Sequence, residues 1–250
     1  FLKIFSMLEY TTAHQPAFLP WVGFLQKLLF AKNFILMDLA QFRKRSFMHR
    51  NLIEINGLEN FIGIKLSKKM DEKIMSEISI SNDEYLSNVN EIYEKVIMQY
   101  KKEPYFYEIE EVFSNLKSIK KITFSEIIYE HLNFLIKKFE SKVCIHLESQ
   151  ILDKNEYYKL NATQKLILHA HTLKSKNYLT GINSKDYLDV ELFKNSNLNC
   201  YIQNFDYIEY LNFQKSDRPL SFIHVMSKIG SKNLKQKLLK NISKDIVKFL

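Results

Sequence analysis

Between His14 and Asn51 the chain gathers residue types that can move protons and bind anions. His14 opens a His-Gln-Pro turn, and an imidazole that titrates near neutral pH can accept a proton from an attacking amine or hydroxyl. Asp38, at the end of the next apolar run, can orient that imidazole or serve as an alternative base. Gln15 and Gln41 can hydrogen-bond a polar ligand. Trp21 suits the core, or a ligand crevice through its indole N–H. Lys44, Arg45, Arg50 and Asn51 could hold a diphosphate, arginine doing so bidentately. Within this basic cluster Arg43 and Arg45 read as solvated, and Lys44 and Arg50 as the better ligands. Structural roles compete with each of these: His14 can cap a backbone group and Asp38 can close an Asx turn.

Those residues need elements to hold them. Tyr10 to Ala13 reads as a strand, followed by a helix with Pro20 in its first turn. Trp21, Phe24, Leu25 and Leu28 share one face of that helix. Phe34 to Met37 is a buried strand that delivers Asp38 to its carboxyl edge, and Phe61 to Leu66 is the next strand. Helices are expected over Asp83–Tyr100 and Tyr105–Leu116. A third follows the capping-box pair Thr123 and Glu126. Val143 to Leu147 is a strand. Then come a helix at Thr163–Lys174, a strand at Tyr178–Thr180, a helix at Tyr187–Lys194 and a strand at Cys200–Gln203. Such alternation implies an α/β, Rossmann-like fold with a mostly parallel sheet, helices on both faces and an added helical segment near residues 82–140. Ligands of such sheets sit beyond the carboxyl ends of the strands, which singles out His14–Pro16, Asp38–Gln41 and Gly181–Lys185.

Composition narrows the function classes. Five Gly and four Pro in 250 residues, with no linker or repeat, fit a single domain over residues 7–250. Residues 1–6 read as an upstream remnant before Met7. The stretch from Phe18 to Ala40 is interrupted by Gln26, Lys27, Lys32 and Asn33, so it does not supply the ~20 apolar residues of a bilayer span. Cys144 and Cys200 have no ligand or disulfide spacing, in keeping with a reducing, cytoplasmic setting. The net charge of +8 is concentrated in Gln41–Arg50 and in Ser231–Leu250, which carries six Lys and one Asp. A duplex nucleic acid partner would ask for a broader basic groove, so none is expected. Leu234, Leu238, Ile242 and Ile246 form an apolar stripe among the tail lysines. It could dock on the chain's own body or rest peripherally on an anionic membrane at the inner face. His169 and His171 point to different faces of one helix and make no metal pair. With no His-Glu-x-x-His, Walker-type loop or Gly-x-Ser-x-Gly elbow, no metal or cofactor is expected.

The block His14-Gln15-Pro16-Ala17-Phe18-Leu19-Pro20-Trp21 resembles the opening signature of the WbqC-like family of bacterial surface-polysaccharide proteins. A second block, Asp38, Gln41, Phe42, Lys44, Arg45, Ser46, Arg50 and Asn51, is similar to that family's next signature at the right distance. Weaker matches are Pro104-Tyr105-Phe106, Tyr178-Leu179-Thr180-Gly181, Lys185-Asp186-Tyr187-Leu188-Asp189 and Leu220-Ser221-Phe222-Ile223. Thr180-Gly181-Ile182-Asn183-Ser184 stands where a glycine-richer loop belongs, and His224 stands where the family has an Asp. The resemblance implies O-antigen, capsule or flagellar-glycan assembly, with transfer of a small acyl or aminoacyl group, glycyl included, to an activated sugar. His14 and Asp38 would then be catalytic. Gln15, Trp21, Gln41, Lys44, Arg50, Asn51, Gly181, Asn183, Lys185 and Tyr187 would bind substrate. The partners implied are a nucleotide-sugar or lipid-linked sugar and an acyl or aminoacyl donor. Two other readings stand beside this one. Strand, His-containing loop, helix, strand and Asp also resemble nucleotidylyltransferases, although Phe18-Leu19-Pro20 occupies the place of their second His. A non-catalytic glycan-pathway subunit is the third reading.

Overall fold

The computed structural model describes residues 9–207, 218–240 and 242–250. Residues 1–6 and Met7, read above as a remnant and a start, lie outside them. Short runs, buried on both faces in the central strands, build six strands into one sheet: β1 (Tyr10–His14), β2 (Asn33–Leu36), β5 (Cys144–Leu147), β6 (Asn177–Gly181), β7 (Asn199–Gln203) and β8 (Ile246–Lys248). Their order is β5-β2-β1-β6-β7-β8; the first five are parallel and β8 is antiparallel at the edge. A separate hairpin pairs β3 (Arg50–Ile55) with β4 (Leu58–Gly63).

The helices are α1 (Val22–Phe30), α2 (Asn82–Tyr100), α3 (Phe106–Ser118), α4 (Phe124–Lys138), α5 (Glu148–Ile151), α6 (Lys154–Tyr157), α7 (Ala162–Thr172), α8 (Val190–Asn195), α9 (Phe222–Lys240, kinked at Gly230) and α10 (Ile242–Asp245). Alternation along β2 splits the core in two. Phe34 and Leu36 join α1 to α4 and α9 on one face, while Ile35 joins Ala13 and Tyr178 under α7 and α8 on the other. The architecture is α/β and Rossmann-like. The chain turns one way from β1 to β2 and later the other way to β6, so the switch in strand order falls between β1 and β6, where such sheets open a crevice.

Local chemistry explains most element ends. Thr123 and Glu126 form a full capping box on α4, as do Asn161 and Gln164 on α7. Two starts differ from the sequence reading. Pro20 is not in the first turn of a helix, because Leu19 takes a left-handed φ of 47° and Trp21 is still extended; α1 begins at Val22. The strand expected at Phe61–Leu66 is β4, out-paired by the unforeseen β3. Asn56 and Gly57, both at positive φ, form the tight turn between them.

The basic tail also resolves. Leu234, Leu238, Ile242 and Ile246 are all buried, so the apolar stripe is part of the protein's own core. Asp245 accepts a hydrogen bond from Gln26 of α1 at 2.6 Å, and Gln203 donates to Gln26 at 2.8 Å. No helix of the described residues is long and apolar enough to cross a membrane.

Candidate functional site

His14 closes β1 at the switch point. Its Nδ1 lies 2.8 Å from the Gln15 carbonyl oxygen, which can only accept, so Nδ1 carries the proton and Nε2 keeps its lone pair. The ring packs edge-on against Phe24 at 4.7 Å between centroids. Burial, and second the Lys27 ammonium, push its pKa down to about 3 against the opposing hydrogen bond to Gln15. The imidazole is therefore uncharged across the physiological range rather than titrating near neutrality. It is available as a base but intrinsically a weak one.

Two clefts meet at this residue. One, of about 520 Å³, is mostly apolar and is lined by Pro16, Ala17, Ser46, Phe47, Met48, Asn51, Pro219 and Arg218, which pairs with Glu59, besides the shared wall. The other, of about 540 Å³, is more polar and includes Lys27, Tyr178, Thr180, Asn183, Tyr187 and Gln203. His14, Gln15 and Trp21 belong to both. Trp21 is half-buried and stands in this dividing wall, its ring against Phe205 at 5.4 Å. It folds back so closely that a Cβ added to Gly23 would lie 2.2 Å from the indole.

Lys27 was legible in the sequence only as an interruption of an apolar run. It is 4% exposed, on the α1 face that borders the polar cleft, and its side chain makes no ion pair or hydrogen bond with a described residue. Burial alone lowers its pKa to about 8. No carboxylate lines that cleft among the described residues.

The second sequence block divides. Asn51 is buried in the wall of the apolar cleft; its Oδ1 accepts from the Leu52 amide at 2.9 Å, which fixes the orientation of the side-chain amide. Its Nδ2 is a buried donor without a partner. Asp38 goes elsewhere. Its carboxylate accepts from the Ser149 amide at 2.8 Å and the Ser149 hydroxyl at 2.6 Å, tying β2 to α5, so the structure does not bring it to His14 as orienter. Burial raises its pKa while the Ser149 hydrogen bonds pull it back. Gln41 is exposed and accepts from Arg43, which pairs with Glu72 at 2.6 Å. Lys44 is exposed outside both clefts. Arg50 stacks 4.1 Å over Phe61 and donates to the Arg45 carbonyl oxygen, so it braces the hairpin. The basic cluster thus does not line either cleft.

Beyond β6, Gly181 and Asn183 line the polar cleft with Tyr187, whereas Lys185 lies outside it, 5.7 Å from the Phe249 ring. No left-handed residue is needed here: Gly181 has φ −87° and leads into a 3-10 turn over Ile182–Asp186, closed by the Ser184 hydroxyl donating to the Gly181 carbonyl at 2.8 Å. A Cβ on Gly181 would meet nothing within 4 Å.

His169 is buried in a hydrogen-bonded chain that reaches the cleft. Its Nε2 is 2.6 Å from Glu148 and its Nδ1 is 3.2 Å from the Tyr178 hydroxyl. His224 is buried too. The Tyr100 hydroxyl donates to the Glu54 carbonyl and therefore accepts from His224 Nδ1 at 3.0 Å. No group of three metal-ligating side chains occurs among the described residues.

The blocks far apart in sequence are joined by backbone hydrogen bonds. Phe18 N donates to Met48 O at 3.1 Å, Ser221 N to Leu52 O at 2.8 Å and Phe222 N to Pro20 O at 2.8 Å. Compared with known proteins, residues 15–236 match the model of the WbqC-like protein family. Neither a curated protein nor a solved structure matches the chain.

Proposed function

The chain belongs to the WbqC-like protein family, and from that premise we propose a transferase that adds a small acyl or aminoacyl group, glycyl among them, to an activated sugar in bacterial surface-glycan biosynthesis. Membership points to glycan biosynthesis; the finer reading is carried by one observation, two clefts of similar size that share His14, Gln15 and Trp21. A group transfer between two substrates needs such an arrangement, with both reactants held against one proton acceptor.

The chemistry follows from the side chains. The sugar amine or hydroxyl attacks the donor carbonyl while His14 Nε2 takes its proton, Nδ1–H being held by the Gln15 carbonyl oxygen. The new C–N or C–O bond forms, the carbonyl oxygen becomes an oxyanion, and collapse expels the donor's leaving group, which recovers the proton from Nε2–H. The unpaired Asn51 Nδ2 is a donor for the oxyanion or the acyl amide. An anionic group placed against Lys27 cancels the second cause of the low His14 pKa and strengthens the base.

The partners of this reaction are a nucleotide-sugar or lipid-linked sugar and an acyl or aminoacyl donor, met in the cytoplasm at the inner face of the membrane. Any contact of the tail with that membrane falls to its lysines, since the apolar stripe is in the core. The test is glycan composition by mass spectrometry in cells carrying His14→Ala. Loss of one acyl or aminoacyl substituent supports the reading. An unchanged glycan, with purified protein binding no nucleotide-sugar or lipid-linked sugar, overturns it.

A further inference from the structure

We infer that Lys27 is the receptor for a carboxylate on the ligand of the polar cleft, so that this cleft takes an acidic small molecule such as a uronic-acid sugar. The inference rests on the transfer reading only for what becomes of the bound molecule.

Lys27 is only 4% exposed as a residue, and its ammonium has no ion pair or hydrogen bond among the described residues, which is costly because removing a charge from water is repaid only by a partner. Every other buried charged side chain described has such a partner: Glu148 has His169, Asp38 has Ser149, Glu108 has Lys138, and Glu54 and Asp245 are also engaged. Lys27 stands apart, and it borders the cleft at the strand switch, where a sheet of this type takes its ligand. Among the described residues the titratable groups lining that cleft are His14, Lys27, Tyr178 and Tyr187, and of these Lys27 is the one charged at neutral pH.

The size of that charge selects the anion. A single ammonium balances a monoanion, whereas a phosphate monoester or diphosphate would bring surplus negative charge into a cleft that has no arginine and no second lysine among the described residues. Gln15, Thr180 and Asn183 in the same wall can hydrogen-bond the hydroxyls of a small polar ligand. The open space over Gly181 leaves room for a ring to lie against the β6 edge.

Titration calorimetry of the full chain with glucuronate, glucose and glucose 1-phosphate tests this. A charge-assisted hydrogen bond is worth on the order of 10–100-fold in affinity. The wild type should therefore prefer glucuronate over glucose by about that factor, and Lys27→Met and Lys27→Gln should lose the preference while keeping their weak affinity for glucose. Equal binding of the acid and the neutral sugar, no binding of either, or a preference that survives both substitutions overturns the proposal. So does tighter binding of glucose 1-phosphate, which would make the group a phosphate site. Melting curves of both variants confirm that they are folded. Glucuronate binding that depends on Lys27 while His14→Ala leaves the glycan unchanged would sink the transfer reading alone.

Discussion

His14 and Lys27 border the same cleft, and the charge on the lysine, after burial, is what holds the histidine uncharged. The two groups are coupled: whatever neutralises Lys27 makes His14 a better base. A base that strengthens when an anionic ligand arrives suits a reaction in which the proton should move only once a substrate is in place.

Lys27→Met should stabilise the protein at pH 7. Burial lowers the amine from 10.5 to about 8, so below pH 8 folded and unfolded states both bind the proton and the folded state carries the full cost of the buried charge. Between about 8 and 10.5 the unfolded state still binds the proton that the folded state has released, and wild-type stability rises with pH. Urea denaturation should give the variant an advantage of about 1–3 kcal/mol at pH 7 that is gone above pH 10.5. A variant less stable than wild type at pH 7 would mean that Lys27 has a partner in the free protein.

Binding of an acid in the polar cleft should be flat from pH 5 to 7 and weaken as pH rises through about 8, where Lys27 loses its proton. A limb near 6.5 is not expected, since His14 is held at about 3. Calorimetry with glucuronate at five pH values reads this directly, and a midpoint at 6.5 would contradict the coupling.

Gly23→Ala should disturb both clefts at once. The added methyl falls 2.2 Å from the Trp21 ring, which must swing out of the wall that the two clefts share. Alanine favours the helix over glycine by about 1 kcal/mol, so stability should change little while ligand affinity falls about tenfold or more. Trp21 is the sole tryptophan, and a shift in its emission maximum reports the movement.

Deleting residues 231–250 should abolish folding rather than release a tail. The deletion removes four fully packed side chains, Leu234, Leu238, Ile242 and Ile246, together with edge strand β8 and the Asp245–Gln26 hydrogen bond. At about 1.5–3 kcal/mol per side chain the loss rivals the whole stability of a domain. Circular dichroism of the truncated chain would show it, and a cooperative melt near the wild-type temperature would refute it.

The sequence made the sheet and long helices legible because their signals are local: short continuous apolar runs such as Phe34–Leu36, and caps such as Thr123–Glu126. The hairpin is not anticipated although Asn56-Gly57 is a strong turn signal, since β3 starts at Arg50 and Asn51, which read as the end of a basic ligand cluster. Strand-end logic led to His14 and Gln15, which line both clefts, and to Asp38, whose carboxylate is taken by a residue 111 positions away. That pairing depends on β5 lying beside β2, which no local pattern encodes. Lys27 was invisible for the opposite reason. A lysine on an apolar helix reads as a solvated break until the cleft beneath it is seen.

The most direct test of two substrates meeting at His14 is a crystal structure of the protein with a nucleotide-linked uronic-acid sugar. The account predicts the sugar in the polar cleft, one hydroxyl within about 3 Å of His14 Nε2, and the apolar cleft open beside it for the acyl donor. A sugar bound outside both clefts, at Lys44 and Arg45 for instance, or with no exchangeable proton in reach of Nε2, would contradict it.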